Sequence, residues 1–386
     1  MTDAIYLDYH ATTPVDPRVM DVMLPFFTRV FGNPSSHTHA YGWEAEAAVE
    51  AARASLAESL DVDPSEIVFT SGATEADNLA LRGVMEANRE RGAHLLTVIT
   101  EHKAVLDAAT ALERDGFGVT RLPVDGEGLI SAEALSAALE PGTVLASVMH
   151  ANNEIGVLQP IEDLAAACHE RAVLFHCDAA QSIGKVPLTE LAGADFISLS
   201  GHKVYGPKGI GALVVRRRVA HRIRALQHGG GHEHGLRSGT LPVPLIVGFA
   251  EAVRLAVSEQ KGELERLSAL RDRLHRGLSA GIPGLIVNGS MARRLPNNLN
   301  VSISHVDPDA LLMAMPDLAV STGSACTSSS DEPSYVLKAL GRSDALAASA
   351  LRFGLGRFTT EAEIDRTIAL CCAAVAHLRS LSPHWS

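Results

Sequence analysis

The sequence predicts an α/β fold with a mostly parallel sheet that is covered by helices on both faces. Between about residues 60 and 220, short apolar runs alternate with helical stretches. The runs are rich in Val, Ile and Leu and show no polar alternation, which is typical of strands buried on both faces. Strands that alternate with helices favour a parallel sheet. The predicted strands cover residues 66–70, 94–100, 143–149, 172–178, 195–200 and 210–215.

Helical patterns fill the intervals between these strands and continue on both sides of them. The pair Asp16-Pro17 is a helix-start signal. A long helical pattern from Pro244 to about Gly281 predicts a bridge to a smaller α+β domain at the C-terminal end. We therefore expect a large domain over residues 14–258 and a small domain formed by residues 1–13 and 259–386. Further helices are predicted over residues 43–60, 73–91, 162–172, 308–315 and 360–380, and further strands over residues 298–304 and 350–355.

Composition excludes several classes of protein. The 386 residues are 46% hydrophobic and 20% charged, which is ordinary for a globular protein and unlike a disordered chain. The net charge of −12 argues against stable binding to nucleic acid or to an anionic membrane. The five cysteines form no C-x-x-C pair, and the first residues show no signal peptide. We therefore expect a cytoplasmic protein without a disulfide framework.

Polar and small residues follow the predicted strands, and the carboxyl ends of strands carry the sites of open α/β sheets. The first strand is followed by SGATEADN, in which Thr74 and Asp77 fit a capping box. A helix that begins behind a small-residue loop presents N–H groups to an anion, although the same pattern also forms ordinary turns. His102 follows the second strand, and Asn153 follows the third.

The next two strands end in charged residues. Asp178 leaves an apolar strand, where a carboxylate needs a partner such as a cationic ligand atom or a basic side chain. Lys203 follows the fifth strand beside His202, and a lysine there suits a Schiff base or a surface loop. Together, a phosphate loop, a ring-stacking His, a carboxylate and a lysine match the needs of a pyridoxal phosphate site.

A single cysteine, Cys326, lies in the segment STGSACTSSSDEPS at residues 321–334. Residues 321–330 contain only Ser, Thr, Gly and Ala besides this cysteine, so the segment cannot build a core and we expect it to be mobile. Free cysteines are usually buried and inert. A cysteine in such a segment favours a nucleophile that visits a site and then delivers its product elsewhere.

At this point the sequence resembles the group I cysteine desulfurases, which are pyridoxal-phosphate enzymes of the bacterial iron–sulfur and nitrogen-fixation type. The resemblance implies a fold-type I enzyme that removes sulfur from L-cysteine, leaves L-alanine, and holds the sulfur as a persulfide on Cys326. The motif SACTS is the one that separates group I from group II enzymes and from class V aminotransferases. The matching strings run in the family's order and include YLDYHATTP, FTSGATEADNLA, TEHKAVL, NNEIGVLQP, DAAQSIGK, SLSGHKVYGPKGIG, RSGTLP, VSTGSACTS and LRFGLGRFT.

The resemblance also implies roles for individual residues. Lys203 would bind pyridoxal 5'-phosphate covalently, His102 would stack on its ring and help proton transfer, and Cys326 would attack the substrate sulfur. Asn153 and Arg352 would hold the substrate carboxylate, a task that suits the fork of an arginine. The remaining contacts to the cofactor are implied for Ala73, Thr74, Ser200 and His202 at the phosphate, Asp178 at the ring nitrogen, Gln181 at the ring hydroxyl, and Thr240 at the phosphate of a partner subunit in a homodimer.

Two alternative functions stay open at this stage. A selenocysteine lyase would share the cofactor site and depend less on the thiol. A metal-binding module is suggested by His228, His232 and His234 in a glycine-rich loop, although flexible glycines organise ligands poorly and we expect no metal site. The final sulfur acceptor is also open among iron–sulfur assembly, tRNA thiolation, DNA phosphorothioation and other biosynthesis, because all of them begin with the same persulfide.

Overall fold

A computed structural model describes residues 4–322 and 332–381 of the chain. Its main feature is a seven-stranded sheet in the order β2-β8-β7-β6-β5-β3-β4, in which β8 runs antiparallel to the other six strands. The predicted α/β class is therefore confirmed. The strands of this sheet are β2 (Ile67–Thr70), β3 (His94–Val98), β4 (Gly118–Leu122), β5 (Thr143–Ser147), β6 (Leu174–Asp178), β7 (Phe196–Ser200) and β8 (Gly211–Val215).

The six strands predicted for this sheet are present, but the sequence pattern did not predict β4. This strand pairs only with β3 at the edge of the sheet. Its residues GVTRL are partly exposed and mix polar with apolar side chains, so they lack the apolar run that marks a strand buried on both faces. An edge position explains why the pattern failed at this strand.

Helices cover both faces of the large sheet, as predicted. Alternate residues of one strand point to opposite faces, and neighbouring Leu95 and Leu96 of β3 belong to different hydrophobic clusters. Leu96 packs in the cluster of α3 and α8, and Leu95 packs in the cluster of α4 and α5. The helices of this region are α1 (Pro17–Met23), α2 (Pro25–Thr28), α3 (Ala40–Leu60), α4 (Ala73–Ala87), α5 (Lys103–Arg114), α6 (Ala132–Ala138), α7 (Ile161–His169) and α8 (Val243–Gly281).

A second, smaller sheet has the antiparallel order β12-β10-β9. Phe353 of β12 packs in one cluster with Leu274 of α8 and Val375 of α12. Within the described residues, no helix combines the length and apolarity needed to cross a membrane. The remaining elements are β1 (Ile5–Tyr6), β9 (Leu285–Val287), β10 (Asn298–Ile303), α9 (Pro308–Met313), β11 (Leu318–Ala319), α10 (Tyr335–Ala339), α11 (Asp344–Ala348), β12 (Ala350–Gly354) and α12 (Glu361–Leu381).

The N-terminal residues pack with the C-terminal part of the chain. Strand β1 pairs in parallel with β11, and Ile5 and Leu7 belong to the hydrophobic cluster around the small sheet. We therefore retain as a proposal the division into a large domain at residues 14–258 and a small domain at residues 1–13 and 259–386. The helix α8 crosses this proposed boundary without a break and links the two parts.

Candidate active site

The carboxyl ends of the parallel strands and the start of α4 line a cavity of about 630 Å³. This volume is in the range of small-molecule sites. Nine of the predicted site residues line the cavity, and they come from five separate segments of the chain. These residues are Ala73, Thr74, His102, Asn153, Asp178, Gln181, Ser200, His202 and Lys203.

Helix α4 begins at Ala73, as predicted, but its cap differs from the prediction. The N-cap residue is Gly72, so the predicted capping box of Thr74 and Asp77 is wrong. Gly72 has a φ of 150°, a conformation that favours glycine, and it lies against Gly211, where a Cβ would come within 2.7 Å of the Gly72 Cα. Because Gly72 has no side chain to cap the helix, the N–H groups of the first turn of α4 are available to a ligand in the cavity.

His102 caps α5 and lines the cavity at the end of β3. Its Nδ1 accepts a hydrogen bond from the Ala104 N–H at 3.1 Å, so the neutral ring carries its proton on Nε2. Burial lowers the pKa of His102, and the Lys203 charge lowers it further, whereas Asp178 opposes both. The ring is therefore held neutral, with an N–H to donate.

Asp178 is the last residue of β6 and is 6% exposed. Its Oδ1 accepts the Ala180 N–H at 2.8 Å. Burial raises the pKa of Asp178, and the Ala180 N–H, His102 and Lys203 oppose this shift. Burial also raises the pKa of Asp77 and Glu101 well above the ordinary range, and the charge of Asp178 adds to both shifts.

Lys203 ends a short 3-10 helix directly after β7. Its Nζ donates to the His10 carbonyl at 2.5 Å and to the Ala11 carbonyl at 2.8 Å. Beside it, His202 contacts the Thr12 hydroxyl through Nδ1 at 3.1 Å, and burial followed by the Lys203 charge lowers the pKa of His202 to about 4. Both residues are therefore tied to the N-terminal segment by hydrogen bonds.

Gln181 also contacts the N-terminal segment. Its Nε2 donates to the His10 carbonyl at 3.0 Å, and its Oε1 lies 3.1 Å from His10 Nδ1. The Lys185 ammonium donates to the same Oε1 at 3.3 Å. Gln181 is 5% exposed, so these contacts fix its amide at the cavity wall.

Arg352 is placed differently from the other predicted residues. It lies in the middle of β12, is 1% exposed and does not line the cavity. Its Nη2 forms an ion pair with Asp8 at 2.7 Å, and its Nη1 donates to the Asn153 carbonyl at 3.0 Å. The structure therefore joins Arg352 to Asn153, which does line the cavity.

Thr240, like Arg352, is not among the residues that line the cavity, and it is exposed in the segment before α8. Cys326 lies outside the described residues, as does most of the segment that we predict to be mobile.

The glycine-rich loop that carries His228, His232 and His234 makes hydrogen bonds and an ion pair that are unrelated to metal binding. His232 accepts the Gly239 N–H at Nδ1 and contacts the Ser35 hydroxyl through Nε2 at 2.9 Å. Glu233 in the same loop is buried and paired with Arg53 at 2.7 Å. Over residues 4–322 and 332–381, no three His, Cys, Asp or Glu side chains are arranged to hold a metal ion.

Several residues that contact the site were missed in the sequence. His10 and Thr12 line the cavity, and Asp8 pairs with Arg352. All three lie in the matching string YLDYHATTP, but their position depends on a contact between the first residues and a strand end almost 200 residues away. Lys185 was missed because a lysine in a turn has no distinguishing pattern.

The residues of the cavity fit pyridoxal 5'-phosphate. The uncapped start of α4, with Ser200 and His202, supplies donors that suit a phosphate dianion. The buried Asp178 carboxylate suits a protonated ring nitrogen, and Lys203 supplies the primary amine that the cofactor aldehyde requires. The donor set therefore matches the chemistry of this cofactor at three separate points.

The chain is similar to known desulfurases over nearly its whole length. Residues 5–367 match the family described as Aminotransferase class-V. A relative named "Cysteine desulfurase IscS" from Anaeromyxobacter sp. (strain Fw109-5) is 56% identical over 380 residues, which cover 98% of this chain and 94% of that relative. A relative of the same name from Haemophilus influenzae (strain PittEE) is 56% identical over 99% of this chain and 95% of its own length.

The fold is also shared with solved structures. The structure described as "NIFS-LIKE PROTEIN" superimposes with a TM-score of 0.90 at 38% identity, covering 97% of this chain and all of that one. The structure described as "SspA in complex with cysteine" has a TM-score of 0.78 at 39% identity, covering 92% of this chain and 99% of its own. The cavity residues and these relatives lead to the same conclusion: the chain belongs to the aminotransferase class-V family and, within it, to the group I cysteine desulfurases.

Proposed function

We propose that this protein is an L-cysteine desulfurase that removes sulfur from L-cysteine and holds it as a persulfide on Cys326. One observation carries the proposal. A single cavity is lined by the Lys203 amine, the Asp178 carboxylate and the uncapped start of α4. An amine, a carboxylate and an anion site at the ends of strands serve pyridoxal phosphate chemistry, which the family uses.

Each cavity residue has a proposed task at the cofactor. Pyridoxal 5'-phosphate, when bound, supplies an electron sink for the negative charge that develops on the substrate carbon. Lys203 holds the cofactor aldehyde, and Asp178 keeps a proton on the ring nitrogen. His102 stacks on the ring, and Gln181 donates to the ring hydroxyl. The phosphate is bound by Ala73 and Thr74 with Ser200 and His202.

Arg352 and Asn153 hold the substrate carboxylate, and Lys203 Nζ moves the proton at the substrate Cα. Arginine suits this task because its fork binds both carboxylate oxygens. The Nε2–H of neutral His102 is the donor available for proton transfer at the cavity wall. Fixing the carboxylate aims the sulfur of the substrate away from the ring and toward an incoming thiol.

Cys326 completes the proposed reaction as a thiolate. Its Sγ attacks the sulfur of the substrate, the carbon–sulfur bond breaks with its electron pair staying on carbon, and a proton from the site completes L-alanine. The enzyme keeps the transferred sulfur as a persulfide. A sulfur-acceptor protein then removes it by attack on the outer sulfur.

We also propose that the protein is a cytoplasmic homodimer. The segment that leads into and begins α3 carries a group of exposed aromatic side chains, and Phe31, Tyr41 and Trp43 are each more than half exposed. Exposed aromatic groups of this size are typical of a surface that another chain covers. Thr240 is exposed as well, in keeping with a contact to the cofactor phosphate of a partner subunit. Sedimentation velocity of the holoenzyme tests this, and a single species of monomer mass contradicts it.

The experiment that tests the proposed function compares Cys326→Ala with Cys372→Ala. Each variant removes one thiol, and Cys372 lies on α12, away from the residues of the cavity. We expect Cys326→Ala to lose sulfide release from L-cysteine while its visible cofactor band is kept, and Cys372→Ala to retain both. Nearly full activity of Cys326→Ala on cysteine overturns the proposal, and a wild-type protein that acts on selenocysteine but not on cysteine is assigned to the selenocysteine lyases instead.

A further inference from the structure

The side-chain oxygen and nitrogen of Gln181 contact different partners, and these contacts fix the orientation of its amide. The Lys185 ammonium can only donate a hydrogen bond, so the atom it contacts at 3.3 Å must be the Gln181 oxygen. The His10 carbonyl can only accept, so the atom it contacts at 3.0 Å must be the Gln181 nitrogen. An amide nitrogen carries two N–H groups. One of them binds His10, and the second is left for the cavity that Gln181 lines.

The turn that carries Lys185 is held rigidly against α8. Gly184 has a φ of 71°, and a Cβ at this position would lie 2.5 Å from the Ala256 Cβ. Lys185 itself is half-buried and shares a small void with Lys203 and Glu263. Because the Gly184 backbone packs closely against α8, the Lys185 ammonium is held beside Gln181.

We propose that Lys185 is a positioning residue for the reaction, and that it holds the Gln181 amide so that an N–H donor, rather than a carbonyl, faces the cavity. There the donor stabilises an anionic oxygen on the ring of the bound cofactor. This inference rests on the proposed function, which assigns Gln181 to the ring hydroxyl.

The charges around Lys185 agree with a role of this kind. Burial and the charge of Lys203 lower the pKa of Lys185 to about 7, and Glu263 on α8 opposes this shift. His10 faces the same amide oxygen through Nδ1, and burial lowers the pKa of its imidazole well below the ordinary range. A neutral His10 with its proton on Nδ1 donates to Gln181 as well, so the Lys185 ammonium and His10 both favour one orientation of the amide.

Removal of Lys185 has a predictable spectroscopic consequence. Without it, the Gln181 amide can turn and present its carbonyl to the ring oxygen. The proton shared between Lys203 Nζ and that oxygen is then held more tightly, because the oxygen has lost a donor that stabilised its anionic form. The pH midpoint of the visible absorption change of the holoenzyme therefore rises.

The test is a pH titration of the visible absorption of the purified holoenzyme without substrate. We expect the midpoint of Lys185→Met to rise by about one pH unit, the size that corresponds to the loss of one hydrogen bond to a charged group. Lys185→Arg keeps a cationic donor and is expected to restore the midpoint. In a Gln181→Ala background, Lys185→Met is expected to add no further shift, because the effect passes through the amide.

Two results overturn the inference. One is an unchanged midpoint in Lys185→Met. The other is a full shift that persists in the Gln181→Ala background, since it assigns the effect to direct repulsion between Lys185 and Lys203. Should Lys185→Met fail to fold, Lys185→Leu, which also has no donor, can be titrated instead, and the same shift and the same dependence on Gln181 are expected. A wild-type protein that shows no visible band at all refutes the proposed function itself, which separates that failure from the failure of this inference.

Discussion

Two positively charged side chains near the candidate site are bound in different ways. One follows the carboxyl end of a central strand of the large sheet, and the other lies in the small sheet. Lys203 lies at the end of β7, lines the cavity, and donates to two backbone carbonyls. Arg352 lies within β12, is almost fully buried, and is paired with the carboxylate of Asp8. A neutral carbonyl and an ionised carboxylate hold a cation with different strength.

One N-terminal segment makes both contacts. The carbonyls of His10 and Ala11 accept from Lys203, and the Asp8 carboxylate accepts from Arg352. The lysine is therefore held by dipoles that it can leave at small cost, whereas the arginine is held by a charge with which a substrate carboxylate must compete. The lysine is therefore suited to forming and breaking a covalent bond, and the arginine is suited to binding a carboxylate that displaces Asp8.

The largest effect is expected at the lysine. Lys203→Ala removes the amine that holds the cofactor and moves the proton, so we expect desulfurase activity to fall by about 10³-fold or more. The characteristic visible band of the lysine-bound cofactor should disappear as well. Activity is measured as alanine formation from L-cysteine, and the band is read from the absorption spectrum of the purified protein.

Lys208→Ala is the matched control, because Lys208 also lines the cavity but is exposed and follows the glycine-containing turn after Lys203. We expect it to keep both the band and the activity. Equal losses in the two variants contradict the comparison, because the effect would then not be specific to the amine of Lys203.

The next largest effect is expected at Arg352 in the smaller sheet. Arg352→Lys keeps the charge beside Asp8 but removes the fork, so we expect KM for L-cysteine to rise by about 50-fold with a smaller change in kcat. Steady-state kinetics with L-cysteine measure this. Arg342→Lys is the control, since Arg342 bonds Asn288 and the Val287 carbonyl and does not line the cavity. A fall in kcat without a change in KM assigns Arg352 to the chemical step instead.

The sequence predicted the large-sheet part of the site better than the rest. Residues that directly follow a strand, such as His102, Asp178 and Lys203, were found because parallel topology brings strand ends to one edge. Arg352 was reached only through the family resemblance, since nothing marks a residue within a strand as a binding residue. His10 could not be found by pattern, because its place depends on packing across the whole chain.

The same contrast applies to secondary structure. The strands buried on both faces were predicted from their apolar runs, and the long helix α8 was predicted almost to its ends. The edge strand β4 and the cap of α4 were not. In both places tertiary structure decides: β4 gains its partner only in the sheet, and the backbone of Gly72, with a φ of 150°, approaches Gly211 so closely that a side chain at position 211 would not fit.

The two regions should also differ in their response to acid. His150 lies next to the cavity residue Met149 and is 1% exposed, whereas the small-domain His377 is exposed. Burial, with the Arg293 charge adding, lowers the pKa of His150 to about 4. As the pH falls below the usual value near 6.5, the unfolded chain binds a proton that the folded chain does not, so stability falls from there down to about pH 4.

We therefore expect His150→Gln to reduce the acid sensitivity of the fold. Between pH 7 and pH 5, its free energy of unfolding should fall by about 2 kcal/mol less than that of the wild type. Urea unfolding followed by circular dichroism at the two pH values measures the difference. His377→Gln removes a histidine at an exposed position of α12, and the pH dependence of its free energy of unfolding should match that of the wild type. Identical pH dependence of His150→Gln and the wild type refutes the prediction.

The smallest effect is expected at the ion pair between Asp8 and Arg352. Asp8→Asn keeps an oxygen that accepts from Arg352 but removes the negative charge with which a substrate carboxylate competes. We expect KM for L-cysteine to fall by about fivefold, which corresponds to the roughly 1 kcal/mol of a partly exposed ion pair. The midpoint of thermal unfolding should change little, because the hydrogen bond persists. A rise in KM instead means that the Asp8 charge orients the guanidinium for the substrate, so that the segment at residues 8–11 organises the arginine as well as holding the lysine.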